Sequence, residues 1–328
     1  MKILLILLLI IGCSHSSKIS NKMPDWVKNP YNYYPEKEYL AVVGVGDSQK
    51  DALNMAYSKI SNIFGVDVKA NSRVIQEYRQ IISSKSEVYE KNESSSDVSV
   101  KSTHNLLNVN YGENYSSKDG RVFQLAYIER KSTAKIYREI ILSNQHSILF
   151  YLNNKQTNLI MEYSFLKAAL TISTVNQSLI NQLKIIYPKE KIKLDYSHFL
   201  IKTKVAQLIN NIGFSIKSEK KVETIINKII NSLGFPITKE PVFEIFTDVK
   251  IKKSGLIKDG QIFLDWNLSL KLVDEKSRII FSTFEKGREG GINRVEAENK
   301  TYFQIEKRLK TKIEKELRDY FLKNILSI

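Results

Sequence analysis

A strictly alternating apolar pattern near the C-terminal end constrains the fold of this chain more than any other feature. Apolar residues occupy every second position of one run: Ile262, Leu264, Trp266, Leu268, Leu270 and Leu272. Successive side chains of a β-strand point to opposite faces, so this spacing predicts a strand with one buried face and one open face. Shorter alternating runs at 243–251 and 279–283 predict two further strands, and Asp259-Gly260 precedes the central one as a turn.

Helical periodicity flanks these strands on both sides. Apolar residues recur at helical spacing in 221–233, where Gly234 is a typical C-cap, and again in 302–320. The order helix, three antiparallel strands, helix predicts an α+β domain at residues 191–328. Residues 147–190 carry helical spacing up to Pro188, and we expect them to form a helical connector or a helical hairpin.

The N-terminal half predicts a second small domain with a helix and an antiparallel sheet, at residues 24–146. The run 39–45 has the composition of a buried strand, and Ser48 with Asp51 forms a capping box before a helix. Gly44 and Gly46 invite a nucleotide-binding interpretation, but Gln49 occupies the place of the third glycine, so we expect a tight strand-to-helix turn.

Four further segments complete the prediction for this half. Alternating residues on either side of Asp119-Gly120 predict a hairpin, and a helix is expected to start near Ser132. The segment 83–103 is rich in Ser, Lys and Glu, which indicates a loop or an exposed hairpin. Two prolines bracket Trp26 in 24–30, which favours an extended segment with its aromatic side chain in a core.

The first thirteen residues are typical of export. Lys2 is followed by an apolar stretch at 3–11 and then by Gly12-Cys13. Because that stretch is far shorter than the roughly twenty residues that span a bilayer, we expect a signal peptide at 1–12. The sequence around Cys13 resembles the bacterial lipobox, which implies cleavage between Gly12 and Cys13, a diacylglyceryl group on Cys13 and a lipidated tether at 13–23.

The motifs PDWVKNP, YLAVVGVG and SQKDALNMAYSKI, followed by a DG hairpin, resemble the LPP-twenty family of bacterial envelope lipoproteins over residues 24–139. The resemblance implies a small α/β domain on a lipid anchor, and no catalytic residues are known for the family. The resemblance indicates a cellular location, the bacterial envelope, more than it indicates a molecular function.

The net charge of +15 raises the question of an anionic partner. Export argues against nucleic acid and favours anionic lipid headgroups, wall polymers or an acidic envelope protein. The alternative is that the lysines, which are scattered along the chain, form an ordinary solvated surface. Cys13 is the one cysteine of the chain, so an intramolecular disulfide is excluded.

The sequence carries no recognisable catalytic, cofactor or metal motif. Its four histidines lie far apart, and neither HExxH nor GxSxG occurs. We therefore expect no enzyme, no cofactor and no metal. A partner surface is predicted at Tyr31, Tyr33 and Tyr34, which could instead pack on the first strand, and at Arg288 in a flexible GREGG loop, which could instead be a simple linker.

These features together predict a non-catalytic scaffold or assembly factor that is anchored in a membrane and contacts another envelope complex. The alternative is a surface-exposed ligand-binding or adhesion lipoprotein that recognises an anionic polymer or host molecule. Ser14, in place of an aspartate that retains many lipoproteins in the inner membrane, favours the outer membrane.

Overall fold

The computed structural model describes residues 22–64, 72–89, 106–156, 158–258 and 260–326. Within these ranges the chain has the predicted α+β fold, with one three-stranded antiparallel sheet and one four-stranded mixed sheet. It divides into two compact units, Met1–Val66 with His104–Thr133 and Asp67–Thr103 with Ala134–Ile328. The predicted signal peptide at 1–12 and most of the tether lie outside the described residues.

The first unit consists of short helices and a sheet of strand order β1-β3-β2. Its elements are α1 (Asp25–Lys28), a 3-10 turn (Pro30–Asn32), β1 (Tyr39–Gly46), α2 (Gln49–Ile63), β2 (Asn110–Ser116) and β3 (Val122–Glu129). The predicted first strand, capped helix and hairpin are confirmed, and the Ser48 Oγ accepts a hydrogen bond from the Asp51 N–H at 3.2 Å. The extended segment predicted at 24–30 is wrong, because 25–28 form a helical turn that buries Trp26.

Gly44 and Gly46 allow α2 to lie directly on β1. A Cβ at Gly44 would stand 2.1 Å from the Ala52 carbonyl oxygen, and one at Gly46 would stand 2.6 Å from the Ala52 nitrogen. The predicted tight strand-to-helix turn is present, since two residues separate the end of β1 at Gly46 from the start of α2 at Gln49, but both glycines belong to β1 and not to the turn. Because the two glycines have no side chain, the helix can approach the strand closely; any Cβ at these positions would collide with the helix backbone.

The second unit has helices packed around one sheet of order β4-β5-β6-β7. Its elements are α3 (Ser72–Tyr89), α4 (Arg130–Asn153), α5 (Leu159–Ile186), α6 (His198–Ile209), β4 (Phe214–Lys217), α7 (Lys220–Ser232), β5 (Phe243–Lys258), β6 (Gln261–Asp274), β7 (Ile279–Gly291) and α8 (Arg294–Leu326). The three predicted strands are antiparallel neighbours, and β4 adds a parallel edge strand that the sequence did not indicate.

The helical segments divide differently from the prediction. Helix α4 runs through residue 146, where a domain boundary was expected, and the compact units divide at Thr133. Helix α5 was expected to be part of a connector. Apolar residues occur on several sides of this helix, and Ile160 and Tyr163 belong to the same hydrophobic core as the buried face of the sheet. The loop expected at 83–103 is wrong for 83–89, which form the last turns of α3, and 90–103 lie outside the described residues.

Candidate functional site

The four-stranded sheet of the second unit has one buried face and one open face. Trp266, Leu268, Leu270 and Leu272 of β6 belong to the core against α7 and α8. The residues between them, Asn267, Ser269 and Lys271, are exposed. Because strand side chains alternate between faces, the exposed residues of β5 and β7 that pair with these positions lie on the same open face.

Cations from all three long strands meet on this face. In the strand register, Lys250 of β5 lies opposite Asn267 of β6, which lies opposite Lys286 of β7. In a second row on the same face, Lys252 lies opposite Asp265, which lies opposite Arg288. We define the basic sheet face by five exposed cations: Lys250, Lys252, Lys271, Lys286 and Arg288.

The carboxylates on the basic sheet face do not balance its cations. Asp248 lies 3.4 Å from the Lys250 ammonium group, and Asp265 lies 2.5 Å from the Arg288 guanidinium group. The hydrogen bond from Arg288 holds the pKa of Asp265 below its usual range and raises the pKa of Arg288, so both groups are charged at neutral pH. Among the carboxylates of the described residues none is paired with Lys252, Lys271 or Lys286, so these lysines are in excess there and give the face a positive potential.

An exposed aromatic residue stands among these cations. Phe284 of β7 pairs with Ser269 and is 64% exposed. Aromatic residues and Arg are enriched at binding surfaces whereas Lys is depleted, so Phe284 and Arg288 are the members of this face that match such a surface.

The GREGG segment is part of strand β7, so the predicted flexible loop is wrong. A Cβ at Gly287 would lie 2.5 Å from Cζ2 of Trp266, and one at Gly290 would lie 2.6 Å from Cε1 of Phe263. The glycines therefore make room for aromatic side chains of β6. Arg288 is held by its strand, and it presents its guanidinium group on the basic sheet face.

The predicted tyrosine surface lies in the first unit and is only partly open. Tyr34 packs its ring 4.5 Å from that of Tyr127 and 5.1 Å from that of Tyr39. Tyr31 is half-buried, and Tyr33 is 58% exposed. Tyr34 therefore packs on the sheet, as the alternative interpretation predicts, and Tyr33 is the member available to a partner.

A cavity of about 560 Å³ lies on the opposite side of the same sheet, near the start of α7 and α8. Its floor is apolar and consists of Val249, Ile251, Ile262 and Leu264. Its walls are charged or polar and consist of Glu219, Lys221, Lys253, Arg294, Glu298 and Tyr302. We call this space the polar cavity, and its volume is within the range of small-molecule sites.

The wall groups of the polar cavity pair with one another. The Tyr302 hydroxyl donates to Oε1 of Glu219 at 3.1 Å, and burial, reinforced by Glu219, raises the pKa of Tyr302 to about 12. Arg294 donates to Oε1 of Glu298 at 2.8 Å, which lowers the pKa of Glu298. The Lys221 ammonium group lies 4.8 Å from the centre of the Tyr302 ring.

Sequence reasoning found Arg288 but missed the four lysines beside it. Their signal was present in β5, where Lys250 and Lys252 alternate with apolar residues, whereas β6 and β7 contribute one lysine each to the face, Lys271 and Lys286. That pattern did not indicate which face stays uncovered. Cys13 and Gly12, the predicted lipidation and cleavage residues, lie outside the described residues.

The described part of the chain contains neither a group of metal ligands nor a membrane-spanning helix. Across residues 22–64, 72–89, 106–156, 158–258 and 260–326, no three His, Cys, Asp or Glu side chains are grouped as metal ligands. In the same ranges no helix is both long enough and apolar enough to cross a bilayer.

Comparison with known proteins finds similarity among solved structures only. No protein-family model matches the chain, and no curated protein is significantly similar to it. The secreted protein HP1454 of Helicobacter pylori is 14% identical with a TM-score of 0.41, over 84% of this chain and 98% of that one. A minor lipoprotein of Acinetobacter baumannii is 12% identical with a TM-score of 0.23, over 35% of this chain and 90% of that one. Similarity of this degree does not identify a function.

Proposed function

We propose that this protein is a lipid-anchored bacterial envelope protein that acts as a non-catalytic scaffold, and that the basic sheet face contacts an acidic partner. The observation that supports the proposal is the open sheet face itself. Lys252, Lys271 and Lys286 stand there in excess of the neighbouring carboxylates, with Phe284 exposed between them.

The anchor in this proposal is lipid on Cys13, after cleavage at Gly12, and the destination is the outer membrane. The N-terminal signal supports export, and a second acyl chain makes membrane attachment stable where one is marginal. The LPP-twenty-like motifs of residues 24–139 support the envelope location. Cys13→Ala should move the protein out of the detergent phase in a partitioning experiment; retention in that phase would contradict the anchor.

The partner in this proposal is another envelope protein or complex with an acidic surface. A sheet face with spaced cations gives electrostatic complementarity, which accelerates association and selects partners. The exposed ring of Phe284, on the edge strand β7, supplies apolar contact area. Both features are fixed on strands, so a partner would meet a preorganised surface.

Charge reversal on the face tests the proposal. The double variant Lys271→Glu/Lys286→Glu should lose its crosslinks to a specific envelope partner in intact cells, as read by mass spectrometry. The matched control Lys204→Glu/Lys310→Glu makes the same change in net charge on exposed positions of α6 and α8 and should keep those crosslinks. Equal crosslinking of both double variants would overturn the role of the face.

A second function is favoured by the polar cavity. A surface-exposed ligand-binding or adhesion lipoprotein that recognises an anionic polymer or host molecule would use a site of about 560 Å³ with Lys221, Lys253 and Arg294 in its lining. Protease treatment of intact cells separates the two functions. Loss of the protein body favours the surface-exposed ligand binder, whereas protection favours the scaffold.

A further inference from the structure

A second cavity of the second unit differs in chemistry from the polar cavity. It has a volume of about 220 Å³ and lies between α3, α5, the segment after α7 and the C-terminal part of α8. Most of its lining is apolar: Ile81, Tyr163, Ala168, Leu233, Phe235, Leu317, Phe321, Leu322 and Ile325. We call it the apolar cavity.

The walls of the apolar cavity are buried and aromatic. The Tyr163 ring lies 4.7 Å from that of Phe321 and 5.8 Å from that of Phe235, and Ala168 is fully buried. Cavities of about 150 Å³ with apolar walls stay dry and accept apolar molecules. The apolar cavity is larger than this and is half open to solvent, so an apolar group that covers its apolar walls removes them from water.

The size of the apolar cavity limits its occupant to a narrow group. A water molecule takes about 30 Å³ in the liquid, and a methylene group is of similar size, so the space holds about seven chain atoms. Drug-sized ligands need roughly 300 Å³ or more. A partner helix is too wide, while a single alkyl chain fits.

Charged side chains in the lining of the apolar cavity determine which head group the alkyl chain can carry. Arg73 lies 3.7 Å from Glu314, and Arg318 lies 3.5 Å from Asp319, so these cations already have carboxylate partners. Lys167 is exposed, adjoins Ala168 in the sequence and lines the same cavity. Among the described residues no ion pair is recorded for Lys167, which leaves its ammonium group available for an anion.

The remaining polar groups of the lining are the hydroxyls of Tyr163 and Thr171, which can meet an acid's head group, and the carboxylate of Glu77, which repels one. Burial, reinforced by the charge of Glu77, raises the pKa of Tyr163 to about 12, so its hydroxyl keeps its proton at neutral pH. A protonated hydroxyl can donate a hydrogen bond to a carboxylate. Thr171 adds another hydroxyl to the lining.

We propose that the apolar cavity binds the alkyl chain of a medium-chain fatty acid, with the carboxylate near Lys167. This site is independent of the basic sheet face, which lies on the solvent side of the sheet. It makes the second unit a receptor for a free single-chain acid, in addition to its proposed docking role.

The direct test is calorimetric titration of the full-length protein with octanoate, using butyrate and octanol as comparison ligands. Octanoate should bind with one-to-one stoichiometry. Butyrate should bind more weakly because it fills less of the cavity, and octanol should bind more weakly because it lacks the charge. Absence of octanoate binding, or equal affinity for all three molecules, would overturn the proposal.

Three substitutions localise the site. Ala168→Phe fills the cavity and should abolish octanoate binding, and Leu322→Trp, at a half-buried position of the lining, is the second variant if the first does not fold. Lys167→Glu should weaken octanoate binding by about threefold to tenfold, as expected for reversal of one exposed charge. Lys310→Glu, an exposed position outside the lining, is the matched control and should bind as the wild type does. Unchanged binding in a folded Ala168→Phe or Leu322→Trp protein would place octanoate elsewhere.

Discussion

The side-chain amide of Asn144 donates a hydrogen bond to Oδ1 of Asn176 over 3.1 Å, and both residues are almost completely buried. The chain of hydrogen bonds continues on both sides. The Tyr78 hydroxyl donates to Oδ1 of Asn144 at 2.9 Å, and the Asn176 amide donates to the Tyr196 hydroxyl at 2.9 Å. A polar network thus ties α3, α4 and α5 together in the buried interior of the second unit, and its members satisfy one another.

Removal of the central member of this network should be costly. Asn176→Leu leaves the Asn144 amide without its acceptor in the interior, and the unfolding free energy should fall by about 2–3 kcal/mol. Urea denaturation measures the change. Tyr78→Phe, which removes one hydroxyl at the end of the network, should cost about 1 kcal/mol. If the asparagine variant is as stable as the wild type, the network does not hold these helices.

The contact between β1 and α2 predicts a strong effect of a single methyl group. Gly44→Ala places a Cβ against the backbone of Ala52 and Ala56, so the helix must move away from the strand. Overpacking of this kind costs about 1–3 kcal/mol or more, and the melting temperature should drop accordingly. Gly255→Ala is the control, because a Cβ there meets nothing within 4 Å. Equal melting of the two variants would argue against close packing at Gly44.

Substitution of Gly287, which precedes Arg288, should change the fluorescence emission of Trp266. Gly287→Val places side-chain atoms against the indole ring of Trp266, which is 1% exposed. In a Trp26→Phe background, Trp266 is the remaining tryptophan, and its emission should shift to longer wavelength as the ring is displaced toward water. Gly255→Val in the same background should leave the emission maximum unchanged. An unshifted Gly287→Val spectrum would mean that β7 yields without disturbing the core.

His198 predicts a pH dependence of stability. Burial, reinforced by the charge of Lys202, lowers its pKa from about 6.5, so the folded protein favours the neutral ring. The unfolded chain then binds more protons, and stability rises with pH in the window below about 6.5. His198 contributes fully above that window and loses its contribution as the pH falls through it.

The measurement for His198 compares unfolding of the wild type and His198→Asn between neutral and mildly acidic pH. The ring nitrogen Nδ1 lies 2.9 Å from the Ser173 hydroxyl, so the variant loses this contact at every pH. The stability difference between the two proteins should nevertheless shrink on acidification. A difference that stays constant with pH would contradict the lowered pKa.

Local patterns predicted many of the elements correctly. The alternation from Ile262 to Leu272 specified β6 and its buried face, and Ser48 with Asp51 specified the start of α2. Gly234, with φ of +88°, ends α7 as its position predicted. These signals are readable because a helix cap, a helix stop and strand alternation each depend on a few neighbouring residues.

Other elements depend on contacts with distant residues, and the sequence interpretation was wrong or silent there. The four-residue strand β4 forms because its backbone pairs in parallel with β5, far along the chain. The glycines of GREGG suggested a loop, yet Trp266 and Phe263 on the neighbouring strand require them. Residues 83–89 have the composition of a loop, but they continue α3, which packs on α5 and α8.

The sequence by itself determined that the second unit contains an amphipathic sheet with lysines between its apolar residues, because alternation is a property of neighbouring positions. The tertiary structure alone decided that those lysines come together. Helices α7 and α8 cover the apolar face of the sheet, so the other face stays open, and strand pairing places Lys250, Lys286 and Arg288 in adjacent rows. Pairing between strands and packing of helices are long-range relations, and they turn a scattered positive charge into one surface.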